Sequence, residues 1–194
     1  MGMLRLGVMG GTFDPIHLGH LVAAEAAAEH FNLDSVIFIP AGDPWQKTTY
    51  ASAQDRLAMT KLAVAGHSNF QISTIDIDRA GPTYTIDTLQ ELGNLEPGAE
   101  LFFITGADSL SGIGSWKQVE KLWPLATFVG VSRPGHSLKA PAYAEARIEL
   151  LEIPALSVSS TGIRAKVNSG ESIDDLVPEA VSQYIKDQNL YQGA

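Results

Sequence analysis

Gly10-Gly11-Thr12-Phe13-Asp14-Pro15-Ile16-His17-Leu18-Gly19-His20 follows directly on the apolar residues 4–9. A short apolar run, a glycine pair and then a helix-compatible segment read as strand, tight turn and helix. Two glycines let the backbone approach a ligand closely. The helix start beyond them offers unpaired N–H groups to an anion. His17 and His20 are three residues apart, so near the start of a helix they can share a face. Two imidazoles beside a phosphate-sized opening suit the phosphates of a nucleotide. The string contains neither a Gly-Lys-Ser/Thr phosphate loop nor Gly-x-Gly-x-x-Gly. By itself a glycine pair after a strand is ordinarily only a turn. Two histidines could also serve a metal, although such sets usually add cysteine or further histidines.

Outward from this stretch, apolar runs alternate with helical patterns, the mark of βαβ units and a mostly parallel sheet. Residues 18–31 are an alanine-rich helix, with Asn32-Leu33-Asp34 as its exit, and 35–40 are a buried second strand. A polar loop over 41–52 contains Pro44-Trp45-Gln46-Lys47. A helix over 53–65 carries Leu57, Leu62 and Val64 on or near its buried face. The third strand is expected over 70–78, broken by Gly81-Pro82, and Thr85-Ile86-Asp87-Thr88 opens a helix through about 95. The fourth strand, 100–105, ends in Gly106-Ala107-Asp108-Ser109, and a short helix over 115–122 is closed by Pro124. The fifth strand, 127–131, ends in Ser132-Arg133-Pro134-Gly135, and the sixth covers 148–153. Ser159 to Arg164 starts another helix, and 178–188 form the terminal one. The informative strings all follow a strand's C-terminal end, the edge of an open parallel sheet where ligands bind.

Composition narrows the classes. The chain has 194 residues, 45% hydrophobic and 18% charged, enough for one α/β domain over 1–194 with a sizeable core. No apolar run approaches the roughly 20 residues of a membrane span. Met-Gly-Met-Leu-Arg leads straight into a strand, so neither a signal peptide nor a membrane partner is expected. Zero cysteines exclude disulfides, thiol catalysis and Cys-ligated zinc, and fit a cytoplasmic setting. A net charge of −9 argues against a nucleic-acid partner, whose surface demands clustered Lys and Arg. An acidic protein that binds polyphosphate must concentrate its few cations locally. The loop candidates are Lys47, Arg133 and Arg164, together with the two histidines. The ordinary reading of any one of them is solvated surface.

The whole eleven-residue string resembles the GTFDPxHxGH signature of the nucleotidyltransferase superfamily, whose members join a nucleotide to a phosphate-bearing or carboxylate-bearing partner. The resemblance implies a Rossmann-like, doubly wound α/β fold with helices on both faces of the sheet. It makes Gly10, Gly11, Thr12, Phe13, His17 and His20 ATP-binding residues. Ser159-Ser160-Thr161, alone an ordinary capping sequence, resembles the second signature, SSTxIR, with Gly162 at its variable position. By that resemblance Ser160 and Thr161 meet the ATP phosphates, and Arg164 reaches the β- or γ-phosphate and stabilises departing pyrophosphate. Gly106-Ala107-Asp108, alone a turn, resembles a Gly-x-Asp that borders the ribose, so Gly106 and Asp108 are assigned there. Arg133 is assigned to a phosphate or to the adenine side.

The middle of the chain is similar to the bacterial nicotinate-nucleotide adenylyltransferases. Gly81 to Leu89 resembles their GxxYTxDT string, and Ser115-Trp116-Lys117 their tryptophan segment. The similarity implies that Trp116 stacks on the nicotinate ring, although a lone Trp is more often core or interface. Thr85 and the backbone near Trp116 and Lys117 would take the ring carboxylate, Thr12 the mononucleotide phosphate, and Tyr84 joins this acceptor site. In all, four motifs in family order span Gly7 to about Tyr191. One departure is plain: the family commonly has Pro-Pro-His-Lys where this chain has Pro44-Trp45-Gln46-Lys47. Lys47 is kept, and Gln46 stands at the histidine position.

The implied reaction is adenylyl transfer from ATP to nicotinate mononucleotide. Its nucleophile is an already ionised phosphate oxygen, with a second pKa of about 6, so no general base is required. His17, His20, Lys47 and Arg164 would neutralise charge, and Mg²⁺ would be held by substrate oxygens and water rather than by a protein cage. The pantetheine-phosphate adenylyltransferase, adenylation of nicotinamide mononucleotide and a cytidylyltransferase are the competing assignments. A nucleotide-binding regulator without catalysis is the reading from another class. A homo-oligomer stays open.

Overall fold

In the computed structural model, which describes residues 2–132, 146–154 and 157–193, the first strand runs through the glycine pair. β1 (Arg5–Gly11) extends that far because its end still pairs with β2 (Ser35–Pro40), Gly10 opposite Ile39 and Gly11 opposite Pro40. The expected turn after residue 9 is therefore displaced to residues 12–14, where Phe13 takes a positive φ of 50°. A side chain at Gly11 would strike the Phe13 ring at 2.7 Å, so this turn closes only over glycine. α1 (Leu18–Phe31) follows, and α2 (Ala53–Val64) comes after the 41–52 loop.

The remaining strands of the main sheet are β4 (Phe70–Ile72), β6 (Glu100–Gly106), β7 (Thr127–Ser132) and β8 (Ile148–Glu152). All neighbours are parallel, in the order β4-β2-β1-β6-β7-β8. The chain winds outward from β1 to β4 and returns to build the other half from β6, so the order reverses between β1 and β6. There the pairing runs only from Arg5 opposite Glu100 to Val8 opposite Phe103. Beyond it β1 stays with β2 and β6 stays with β7. The two central strands part at their C-terminal ends and open a crevice at the switch point, where an open α/β sheet binds ligands.

Alternation along the strands supplies both cores. Met9, Val36, Phe38, Phe102, Ile104 and Val129 face α1, α2 and two C-terminal helices, α6 (Ser160–Ser169) and α7 (Glu179–Asp187). Leu6, Val8, Ile37, Ile39, Leu101, Phe103 and Phe128 face α4 (Thr85–Leu95) and the segment beginning with α5 (Ala107–Ser111). α1 presents Ala23, Ala24, Ala27 and Ala28, whose small side chains let it lie close against the strands.

Three further expectations are corrected. The third strand ends at Ile72, and Ile75–Asp78 form a short helix, α3. Aspartate suits a strand poorly, and here the Thr74 carbonyl accepts from Ile77 and Asp78 N–H, both at 2.9 Å. The helix over 115–122 is instead two 3₁₀ turns, Ile113–Ser115 and Val119–Lys121, separated by Gln118 at φ 53°. Leu62 is exposed, because the buried side of α2 is formed by Arg56, Leu57, Met59, Thr60, Ala63 and Val64. Two short strands unmarked in the sequence, β3 (Asp43–Pro44) and β5 (Pro82–Thr83), pair in parallel and tie the 41–52 loop to the start of α4.

Candidate active site

Past the end of β1 the backbone turns through Thr12, Phe13 and Asp14 into α1, with His17 as its extended N-cap residue. His20 turns back onto that cap: its Nδ1 accepts the His17 backbone N–H at 3.2 Å. The two imidazoles stack with centroids 3.7 Å apart, and Phe13 meets His20 edge-on at 5.1 Å. Burial, then the neighbouring His17 and Lys47, hold His20 well below the usual histidine range. His20 is therefore neutral at pH 7, and its occupied Nδ1 leaves the proton on Nε2.

Asp14 is the hub beneath this turn, 3% exposed. Its carboxylate accepts the N–H groups of Tyr50 at 2.6 Å and Ala51 at 3.2 Å, and the Tyr191 hydroxyl at 2.7 Å. Burial, the Asp14 charge and that hydrogen bond push the Tyr191 phenol far above its ordinary range. The Asp14 carbonyl accepts from Arg164 Nη1 at 2.8 Å. Arg164 Nη2 donates to Thr161 Oγ1 at 3.2 Å, and the guanidinium lies 4.3 Å over the Tyr50 ring. Ser159, not Ser160 or Thr161, caps α6 by accepting Gly162 N–H at 3.1 Å. The Ser160 hydroxyl donates to the Pro15 carbonyl at 2.9 Å, so in this arrangement it offers a phosphate no proton.

Two cavities open at the switch point. The larger, about 690 Å³, is lined by His17, His20, Tyr50, Gly106, Ser159, Ser160, Thr161 and Arg164 among others. The smaller, about 150 Å³, is lined by Trp45, Gln46, Asp76, Thr83, Thr85, Thr88, Phe103 and Trp116 among others. Gly10, Gly11, Thr12, Lys47, Thr105 and Ser109 line both. The two spaces therefore meet at the end of β1, opposite the end of β6. The glycines leave room there, and Lys47 brings a cation.

In the smaller cavity Trp116 is held edge-on against Phe103 at 5.8 Å and Phe128 at 6.5 Å. Asp76 is buried; Thr88 Oγ1 donates to it at 2.7 Å and Arg79 Nη1 at 2.7 Å, while Arg79 Nη2 also reaches Glu91. Desolvation raises the Asp76 carboxyl, against the lowering pull of Thr88 and Arg79.

Several residues singled out in the sequence lie elsewhere. Tyr84 and Lys117 line neither cavity; the Lys117 ammonium sits 4.1 Å over the Tyr84 ring and pairs with Asp87 at 3.2 Å. Asp108 is exposed at the start of α5 and lines neither cavity, whereas Ser109 lines both. Arg133 lies outside the described residues. Sequence reasoning missed Arg56, Asp76 and Tyr191, and gave Asp14 no role although it stands inside the first motif. Arg56 and Tyr191 carry no local signal, because their partners are distant in sequence. Among the described residues no group of three or more His, Cys, Asp or Glu could hold a metal ion, and no helix is long and apolar enough to cross a membrane.

Residues 8–166 match the family model described as cytidylyltransferase-like. A protein of Leifsonia xyli subsp. xyli named "probable nicotinate-nucleotide adenylyltransferase" is 54% identical over 189 residues, covering 97% of this chain and 94% of that one. One of the same name from Streptomyces coelicolor is 52% identical over 187 residues, 95% of this chain and 100% of its own. Among solved structures, the nicotinic acid mononucleotide adenylyltransferase of Plasmodium falciparum complexed with NaAD superposes with a TM-score of 0.80. It covers 97% of both chains at 22% identity, a likeness of fold.

Proposed function

The chain belongs to the cytidylyltransferase-like family and, within it, to the nicotinate-nucleotide adenylyltransferases, and we infer that it transfers the adenylyl group of ATP to nicotinate mononucleotide. The products are nicotinate adenine dinucleotide and pyrophosphate, a step of NAD biosynthesis. The observation that carries this reading is the pair of unequal cavities sharing one wall of glycine backbone, Thr12 and Lys47. A bisubstrate transfer needs two binding spaces that touch at the reacting atom, and a large triphosphate space beside a small aromatic one suits these substrates.

The step is an in-line displacement. A phosphate oxygen of nicotinate mononucleotide forms a bond to the α-phosphorus of ATP, and the bond from that phosphorus to the bridging oxygen breaks. The oxygen leaves with the electron pair as pyrophosphate. The attacking oxygen is already ionised at neutral pH, its second pKa being about 6, so no base is called for. The residues' work is positioning and charge stabilisation. Lys47 would stand at the meeting point, with His17, His20 and Arg164 along the triphosphate space. Gly10, Gly11, Thr12 and Phe13 would bring the turn's backbone to the phosphates, and Thr161 retains a hydroxyl proton for them. Gly106, or Ser109 in place of the exposed Asp108, would border the ribose. Trp116 offers the acceptor ring a flat face, and Thr85, at the N-terminus of α4, offers its carboxylate N–H and O–H donors. Mg²⁺ would enter with ATP on the substrate's own oxygens, which suits a site whose described residues supply imidazoles and cations rather than clustered carboxylates. A biosynthetic reaction of this kind points to the cytoplasm, and a chain with no cysteine is compatible with that setting.

Mg²⁺-dependent pyrophosphate release from ATP tests this, with nicotinate mononucleotide, nicotinamide mononucleotide and 4′-phosphopantetheine offered separately. Release chiefly with the first is expected. Release chiefly with another would overturn the acceptor assignment, and none with any would overturn the enzymatic reading.

A further inference from the structure

Arg56 is the least exposed charged side chain among the described residues, at 1%, and it lines neither cavity. It spends both terminal nitrogens on backbone carbonyls, Nη1 on Thr12 at 2.7 Å and Nη2 on Gly42 at 3.0 Å. Thr12 lines both cavities, and Gly42 begins the segment that brings Lys47 to their meeting point. Gly42 is itself confined. Its N–H donates to Thr83 Oγ1 at 3.1 Å, and a Cβ there would lie 2.3 Å from the Asp76 carbonyl oxygen. At the far end of the same segment Asp14 accepts the Tyr50 and Ala51 N–H groups. The two anchors flank Lys47. They are charges of opposite sign buried under one turn, and the Asp14 charge favours the cationic form of Arg56 against its desolvation.

We infer that Arg56 is a positioning residue of the transfer reaction: its planar fork fixes the Thr12 carbonyl to the Gly42 carbonyl, setting the spacing of the two walls on which Thr12 and Lys47 face each other. A guanidinium holds two carbonyls in one rigid geometry, whereas an ammonium of equal charge is a compact point with no fork. An apolar side chain would fill the volume and fix neither. Misplacement of about 1 Å at a reacting centre costs up to about 10²-fold in rate, so the fork matters for turnover without touching a substrate. The inference rests on the adenylyl-transfer reading.

Arg56→Lys and Arg56→Met test it against the wild-type protein by two readouts. The first is pyrophosphate release with ATP and nicotinate mononucleotide. Both variants are expected to lose about 10- to 100-fold in kcat, with both KM values within about threefold. The second is amide hydrogen exchange without substrates. It is expected to quicken at Ala41, Gly42 and Asp43 in Arg56→Lys while β6 and β7 keep their protection. Arg56→Lys with kcat within about twofold of wild type would overturn the inference, as would unchanged exchange at 41–43. Loosening spread evenly over the sheet would do so too, since it marks a general loss of stability. If Arg56→Met does not fold, Arg56→Lys decides. If the wild-type protein releases no pyrophosphate, the functional reading fails, while exchange still reports whether Arg56 fixes residues 41–43.

Discussion

One hydrogen bond fixes which nitrogen of His20 can meet a phosphate. Because Nδ1 accepts the N-cap N–H, Nε2 carries the proton in the neutral ring. Burial, with His17 and Lys47 close by, keeps the ring neutral in the free protein. A second proton could enter only at Nδ1 and would cost that hydrogen bond, so His20 should stay neutral through the usual histidine range and meet a phosphate as an N–H donor. An NMR titration of the His20 ring in the folded protein checks this, and titration within or above the usual histidine range would refute it. His20→Ala should lower kcat by about 10²-fold if one stabilising contact is worth about 3 kcal/mol; an unchanged rate in a folded variant would remove His20 from the reaction. Residue types were legible here, since the spacing of His17 and His20 already put both on one turn. Their stacking, the tautomer and the coupling to Lys47 were not. Those depend on side-chain directions that a string of residues does not carry, and the same limit explains why Lys117 turns onto Tyr84 and Asp87 instead of into the cavity.

Among the elements, the C-terminal segment has the least obvious task. α7 packs Val181 and Ile185 into the core, and the chain then delivers Tyr191 to the Asp14 carboxylate across 177 residues of sequence. Tyr184 likewise donates to Asp55 on α2 at 2.9 Å. A hydrogen bond to a buried charge is worth about 1.5–3 kcal/mol. Tyr191→Phe should therefore lower Tm by about 3–12 °C in a protein of this size, and an unchanged Tm would mean that the tyrosine does not secure the turn. Elements with a strong local signal were legible: the alanine-rich α1, the amphipathic α4 and the apolar run of β2 fall on their expected bounds. Two misassigned elements share one cause. Over 70–78 and 115–122 the hydrophobic pattern is short. There, tertiary partners such as Thr88 and Arg79 for Asp76 decide the local backbone.

For the molecule as a whole, the parting of β1 from β6 makes two sites into one. A dinucleotide product that spans both cavities should compete with each substrate. Nicotinate adenine dinucleotide is expected to inhibit competitively against ATP and against nicotinate mononucleotide, and to bind more tightly than the mononucleotide. Equilibrium displacement of only one of the two bound substrates by the dinucleotide would mean that the two cavities do not act as a continuous site. The sequence by itself determined the parallel α/β class, the strand ends where the motifs cluster and the residue types offered to phosphate. Each of these follows from local periodicity and composition. Which strands adjoin, where the central pair separates, and that Arg56, Asp14 and Tyr191 converge beneath one turn were decided by the tertiary structure alone. Burial and hydrogen bonding between residues tens to hundreds of positions apart leave no mark on the spacing of the sequence.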